Sequence, residues 1–272
     1  MTTEQWLAKA KTALDAVGVA SGRLDSLLLL EHATGQSREQ LLAHPEITLD
    51  TVSLTTLDQL LAQRAARIPM AHLLGRRQFY GLELEITPDV LTPRAETEPM
   101  VERAIRLAPK AARLLDLGTG SGAVAIAVAH ARPDLAIVAS DVSAAAIQVA
   151  GRNAKHHKVN IELIQSDLFA EVSSHFDVIT ANLPYLRNDA ELMPEVTREP
   201  AVALFGGADG LALYRRFFAA ATDHLAAGGL AILEADPWQH PPLIELAKAH
   251  GFEPIEPDYF IVTLRQVKTL AK

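Results

Sequence analysis

Hydrophobic residues in the first quarter of the chain recur at helical spacing. Trp6, Leu7, Ala10, Leu14 and Val17 fall on one face, and Gly18 is placed to stop the helix. RLDSLLLLEHATG predicts a second helix ending near Gly35. Ser37 and Gln40 stand at capping-box spacing in SREQLL. LTTLDQLLAQRAARI predicts a longer helix, which ends before Pro69 because the residue preceding a proline is pushed out of the helical region. No alternating pattern appears before residue 78. These elements predict a small helical bundle over residues 1–77.

The period then changes. LELEI alternates, with Gly81 and Pro88 as punctuation, and predicts a hairpin-like linker over residues 78–92. From Arg113 onward strand and helix patterns alternate. RLLDLG, LAIVASD, IELIQSD, HFDVITANLP and LAILEA read as strands. SGAVAIAVAHA, SAAAIQVAGRNAKHH and LALYRRFFAAATDHLAAGG read as the helices between them, and the tail supplies a helix and two more strands. Such alternation implies an α/β domain, residues 93–272, with a mainly parallel sheet covered on both faces. Ligands of such folds bind at the carboxyl ends of the strands.

Composition narrows the function classes. Of 272 residues 49% are hydrophobic and 21% charged, enough for a sizeable core. With 0 Cys, disulfides, thiolate metal sites and a cysteine nucleophile are excluded. The formal net charge of −8 argues against direct nucleic-acid binding, which draws on a basic surface. MTTEQWLAKAKTALDAV carries Glu4 and Asp15 and no apolar run typical of a leader, and no segment has the length of a membrane span. A cytoplasmic protein is expected. No His/Asp/Glu spacing suggests a metal, and His156 and His157 read as surface residues.

The chemistry-bearing motifs sit at strand ends. In DLGTGSG, Asp116, Gly118, Thr119, Gly120, Ser121 and Gly122 follow the first strand of the alternating region and open a helix; glycines there allow a tight turn and a close backbone approach to a ligand. Asp141 ends the next strand, about 20 residues on, where an acid accepts hydrogen bonds from a ribose diol. The G-x-G-x-G spacing differs from the dinucleotide fingerprint and resembles the S-adenosylmethionine site of Rossmann-like methyltransferases. Asp167 in SDLF is then placed to bond the adenine amino group, with Leu168 or Phe169 packing on the ring. Asn182, Leu183, Pro184 and Tyr185 end the fourth strand. A planar NH2 nitrogen is a poor nucleophile because its lone pair is delocalised. The Asn182 oxygen and a backbone carbonyl, of Leu183 or Pro184, are suited to accept both its N–H bonds and aim it, while Tyr185 packs on the flat group. Adenine and a glutamine side chain both present such a group.

With DLGTGSG, SD, N-x-P-Y, LTPRAETE and the segment REPAVALFGGADG in place, the chain resembles the release-factor glutamine methyltransferases along nearly its whole length. The resemblance implies a Rossmann-like methyltransferase sheet with a small N-terminal helical, substrate-docking domain. It also implies S-adenosylmethionine as cofactor and methyl transfer to the glutamine of the Gly-Gly-Gln loop of peptide chain release factors. A monomer without membrane or nucleic-acid partner is expected. Asn182, Pro184 and Tyr185 become the catalytic residues, Asn182 also facing the cofactor. Arg94, Glu96 and Glu199 join Asn182–Tyr185 as substrate contacts, although Arg94, Glu96 and Glu98 suit a linker lock or a charged helix start equally well. Three positions depart from the family pattern: Leu183 and Ala95 replace prolines, and EADPWQ lacks a glycine two residues after its glutamate. N-L-P-Y is the form carried by rRNA adenine-N6 dimethylases, which place their helical domain after the catalytic one; here it comes first. An rRNA adenine methyltransferase, a ribosomal-protein glutamine methyltransferase and a silent binding module are the alternatives.

Overall fold

A computed structural model describes residues 1–257 and 259–267. The chain divides into two compact units, the first holding Met1–Gly75 with Leu192–Arg198, the second holding Arg76–Glu191 and resuming at Glu199.

The first unit contains α1 (Thr3–Ala16), α2 (Gly22–Thr34), α3 (Arg38–Ala43), α4 (Thr51–Ala65) and the short α5 (Met70–Leu74). Side-chain caps start three of these: Thr2 and Ser37 form capping boxes with Gln5 and Gln40, and Asp50 accepts from the Ser53 N–H. Gly35 ends α2 in the left-handed conformation at φ 67°. Trp6, Leu14, Leu29, Leu30, Leu41 and Leu57 form the unit's core. Buried Arg64 pairs with Asp25 at 2.7 Å and with Glu195 at 2.9 Å, and Arg67 also reaches Glu195, at 2.8 Å, which holds the segment Leu192–Arg198 in this unit.

The second unit opens with an antiparallel hairpin of β1 (Arg76–Phe79) and β2 (Leu82–Glu85), followed by α6 (Glu98–Leu107). Its main sheet contains β3 (Arg113–Leu117), β4 (Ala136–Asp141), β5 (Ile161–Gln165), β6 (Phe176–Ala181), β7 (Leu225–Glu234), β8 (Phe252–Pro257) and β9 (Ile261–Gln266), in the order β5-β4-β3-β6-β7-β9-β8. The pairings among β3 to β7 are parallel, and β9 runs antiparallel to both neighbours. The crossovers are α7 (Ala123–Ala131), α8 (Ala144–His156), α9 (Ala212–His224) and α10 (His240–Ala249). This is the α/β, mostly parallel fold that the alternation predicts. Every residue of α7 from Ala123 to Ala129 is buried, which explains a helix apolar all round.

The strand order switches at β3, with β4 and β5 laid out on one side and β6 and β7 on the other, and a crevice opens where the connections part in this way. Register places its contents. Leu117 pairs with Ala181, so Gly118 and Asn182 leave the sheet side by side. Buried Asn153 of α8 fixes the hairpin to the glycine turn. Its oxygen accepts the Glu85 N–H at 2.7 Å, and its amide donates to the Ser121 carbonyl at 2.9 Å.

Candidate active site

The crevice holds a cavity of about 250 Å³. Gly118, Gly120, Asp141, Asp167, Leu168 and Asn182 line it, together with Leu183 and Pro184. The sequence-predicted residues are therefore largely gathered at one place, in two tiers.

Asp116, Thr119, Ser121 and Gly122 stand behind the turn rather than in the cavity wall. Asp116 is buried and its carboxylate is occupied internally, accepting the Thr119 hydroxyl at 2.6 Å and the Thr180 hydroxyl at 2.7 Å. Burial pushes its proton affinity up to a pKa of about 6, against the pull of those two donors. Asp116 thus shapes the turn that faces the cavity. The sign of its effect on stability follows. A carboxylate raised from 3.8 to about 6 binds its proton more tightly in the folded state, so its contribution is full below pH 4 and is lost as pH rises through 6. Asp116→Asn removes this titration. Its unfolding free energy relative to the native chain is expected to rise by about 2 kcal/mol between pH 4 and pH 7. Urea unfolding of both proteins at the two pH values checks this, and a pH-independent difference would contradict it.

Asp141 does face the cavity. Its Oδ2 accepts the Gly120 N–H and its Oδ1 the Ser143 N–H, both at 2.9 Å, and burial raises its pKa against these donors. Each oxygen keeps a second lone pair for a ligand hydroxyl. The SDLF turn resolves one choice left open by the sequence. Leu168 sits at φ 51°, which exposes it to the cavity, whereas Phe169 turns into the core and stacks on His224 at 4.5 Å. Of the two, Leu168 lines the cavity and Phe169 does not. Asp167 stands half exposed at the rim, bonded at 2.8 Å by Arg216, a cavity-lining residue that the sequence reading missed.

Around Asn182 the structure adds two residues that the sequence reading passed over. The Asn182 amide nitrogen lies 3.3 Å from the Thr97 hydroxyl. Thr97 comes from LTPRAETE, where the charged Arg94, Glu96 and Glu98 dominate the pattern. Glu234, at the end of β7, lies beside Asn182 and accepts from the Tyr185 hydroxyl at 3.4 Å. Burial, then the nearby Glu234 carboxylate, holds the Tyr185 pKa well above the ordinary tyrosine range, so its hydroxyl stays a donor. The Leu183 side chain is buried in the sheet's core and packs toward the glycine turn; its backbone N–H, which a proline would lack, acts on the Tyr214 hydroxyl.

The predicted substrate contacts separate. Arg94 and buried Glu199 are spent on each other, and Glu199 also accepts the Thr92 N–H at 3.2 Å. Glu98 accepts the Tyr80 N–H of the hairpin turn at 2.9 Å. Glu96 is the one close enough to raise the pKa of both Tyr185 and Glu234. The GGADG segment, singled out by resemblance alone, backs the N-L-P-Y loop. Gly206 N–H donates to the Leu186 carbonyl at 2.8 Å, and a Cβ on Gly210 would overlap the Tyr185 carbonyl and the Gln239 amide.

Residues 5–75 match the family model of the PrmC N-terminal domain, and residues 101–203 that of the Methyltransferase small domain. Over 239 residues the chain is 39% identical to the release factor glutamine methyltransferase of Geobacter sulfurreducens, covering 86% of this chain and 84% of that one. Over 244 residues it is 39% identical to that of Escherichia coli K12, covering 88% and 87%. The chain belongs to the release factor glutamine methyltransferase family. Among solved structures it resembles a ribosomal protein L11 methylase from Lactobacillus delbrueckii (TM-score 0.50, 21% identity, 64% of this chain and 80% of that one). It also resembles a Thermus thermophilus 16S rRNA N2 G1207 methyltransferase solved with AdoMet and guanosine (TM-score 0.53, 19% identity, 71% and 50%). These two share its Rossmann-like methyltransferase fold.

Family membership makes S-adenosylmethionine the group to test against the cavity, and the residues fit it. At Gly120, with φ 55°, an added Cβ would meet no atom within 4 Å, which leaves the turn's backbone open to a close-lying ligand. Asp141 offers acceptors for a ribose diol, and Leu168 and Val142 an apolar wall for a base. Among the described residues no cluster of His, Asp and Glu is arranged to hold a metal ion, and no helix is long and apolar enough to cross a membrane.

Proposed function

We propose that this chain transfers a methyl group from S-adenosylmethionine to the side-chain amide nitrogen of the glutamine in the Gly-Gly-Gln loop of peptide chain release factors. The observation that carries this reading is the register that sets Asn182 beside Gly118 in the cavity lining, in a chain of this family.

In this reading Asp141 binds the ribose hydroxyls, Asp167 the adenine amino group with Arg216 holding it at the rim, and Leu168 the ring face. Asp116, Thr119, Ser121 and Gly122 act from behind, by fixing the turn on which Gly118 and Gly120 present backbone. S-adenosylmethionine supplies an electrophilic methyl on a sulfonium sulfur. The chain's task is to present the nitrogen. The Asn182 oxygen and the carbonyl of Leu183 or Pro184 accept the two N–H bonds, hold the amide flat and stabilise positive charge as it develops on nitrogen. The Tyr185 ring packs on the amide face while its hydroxyl stays on Glu234. No strong base is needed before transfer, because the proton becomes acidic once nitrogen is alkylated.

Arg94 and Glu199, being paired, serve by shaping the peptide channel, and Glu96 lines its approach. The helical unit, Met1–Gly75 with Leu192–Arg198, is the domain that docks the release factor, and the unit that opens with the hairpin at Arg76 is the catalytic domain; this moves the expected boundaries at 77 and 92 and takes Leu192–Arg198 out of the expected 93–272. The protein works as a cytoplasmic monomer. Leu183 motivates one competing reading, methylation of rRNA adenine. Labelled S-adenosylmethionine with unmethylated release factor and with rRNA, offered separately, decides between them. Label is expected in the protein; label in RNA alone would overturn the proposal.

A further inference from the structure

Glu234 is the last residue of β7, and register selects its neighbour. Ala181 pairs with Leu233, so Asn182 and Glu234 leave the sheet side by side. Glu234 is 1% exposed and does not line the cofactor cavity. Tyr185 donates to Oε1, and the Thr97 hydroxyl and Asn182 amide lie close enough to stabilise the carboxylate's charge, while Oε2 has no partner at hydrogen-bond distance. A buried carboxylate oxygen without a donor is costly, and such an atom in a folded protein asks for a functional reason.

We propose that Glu234 is the positioning residue for Asn182: its carboxylate takes the Asn182 amide N–H bonds and so leaves the Asn182 oxygen turned toward the substrate nitrogen. This rests on the reading of Asn182 as the acceptor of the glutamine N–H bonds. The two ends of an asparagine amide are nearly equal in shape, and the wrong end would set N–H against N–H. Thr97 cannot decide between them, because a hydroxyl both donates and accepts; an ionised carboxylate only accepts. Its charge also polarises the amide, which strengthens the Asn182 oxygen as an acceptor. A long Thr97 contact and an unpartnered Oε2 fit a site whose hydrogen bonds tighten only once substrate engages the other end of the amide.

Protonation would undo this, since a carboxyl group can donate and no longer fixes the flip. Burial raises the Glu234 pKa; Thr97, Tyr185 and Asn182 oppose the rise, and Glu96, before α6, adds to it. The other groups nearby are the Tyr214 hydroxyl of α9, which donates to the Glu234 carbonyl, and Asp236, two residues on in the chain and close enough to Tyr185 to raise its pKa. Both tyrosines keep their protons. Turnover at saturating cofactor and release factor should therefore fall as pH drops, along a limb lying above the ordinary glutamate range.

The test measures kcat, KM and calorimetric S-adenosylmethionine affinity against pH for the native protein, Glu234→Gln, Tyr185→Phe and Asn182→Ala. Glu234→Gln is expected to lower kcat at pH 8 about tenfold, with KM and cofactor affinity within about twofold, and to lack the acid limb, so that the two curves converge at low pH. Tyr185→Phe removes a donor to the carboxylate and should move the limb to higher pH. A Glu234→Gln profile parallel to the native one would overturn the proposal, as would an unchanged kcat. Should Glu234→Gln fail to bind cofactor, Tyr185→Phe decides, and an unmoved limb overturns it. Asn182→Ala separates the two readings: if its kcat is unimpaired, the assignment of Asn182 itself has failed, whatever Glu234 does.

Discussion

Asn182→Ala is expected to lower kcat about 100- to 1,000-fold, while S-adenosylmethionine affinity changes by less than about threefold. The size follows from what the side chain does. Loss of one preorganised polar contact to charge that develops in the transition state typically removes about 3–4 kcal/mol. Asn182 is one lining residue among many, and Asp141 and the glycine turn, which also line the cavity, are untouched. The substitution strips Thr97 and Glu234 of a neighbour, so a modest fall in stability, about 1–2 kcal/mol, accompanies it. Steady-state kinetics with calorimetry of cofactor binding separates the outcomes. Equal loss of both would make Asn182 a cofactor or folding residue.

Gly210→Ala is expected to have the second-largest effect, although Gly210 lies outside the cofactor cavity. Its φ is 73°, and its missing Cβ is the space occupied by the Tyr185 carbonyl, which also accepts the Gln239 amide at 3.0 Å. A left-handed alanine costs about 1–2 kcal/mol, and overpacking adds about 1–3 kcal/mol. The relief available is movement of the N-L-P-Y loop. Turnover should therefore fall more than about tenfold, with cofactor affinity retained because the turn at Gly118–Gly122 belongs to a different strand end. Native turnover in a well-folded Gly210→Ala protein would show that the GGADG segment does not hold the loop.

What could be read from the sequence was local. Strand–helix alternation predicts the sheet, because parallel strands buried on both faces must be short apolar runs. The glycine turn, Asp141 and Asn182 are legible because each follows directly on a strand, where ligands of such sheets bind. What could not be read was pairing across the chain. Arg94 and Glu199 stand 105 residues apart and look like two substrate contacts until the fold joins them. Thr97 is hidden by the charges around it. Glu234 ends an apolar strand with nothing to mark it except its neighbour in the next strand, 52 positions earlier. Leu168 rather than Phe169 faces the cavity because of a left-handed φ that neither side chain announces.

The measurement that bears most directly on the central claim is mass spectrometry of an unmethylated release factor after incubation with this protein and S-adenosylmethionine, read on the peptide containing Gly-Gly-Gln. One added methyl, placed by fragmentation on that glutamine and missing from the Asn182→Ala reaction, is the predicted result. An unmodified peptide under conditions where the protein binds S-adenosylmethionine would contradict the account.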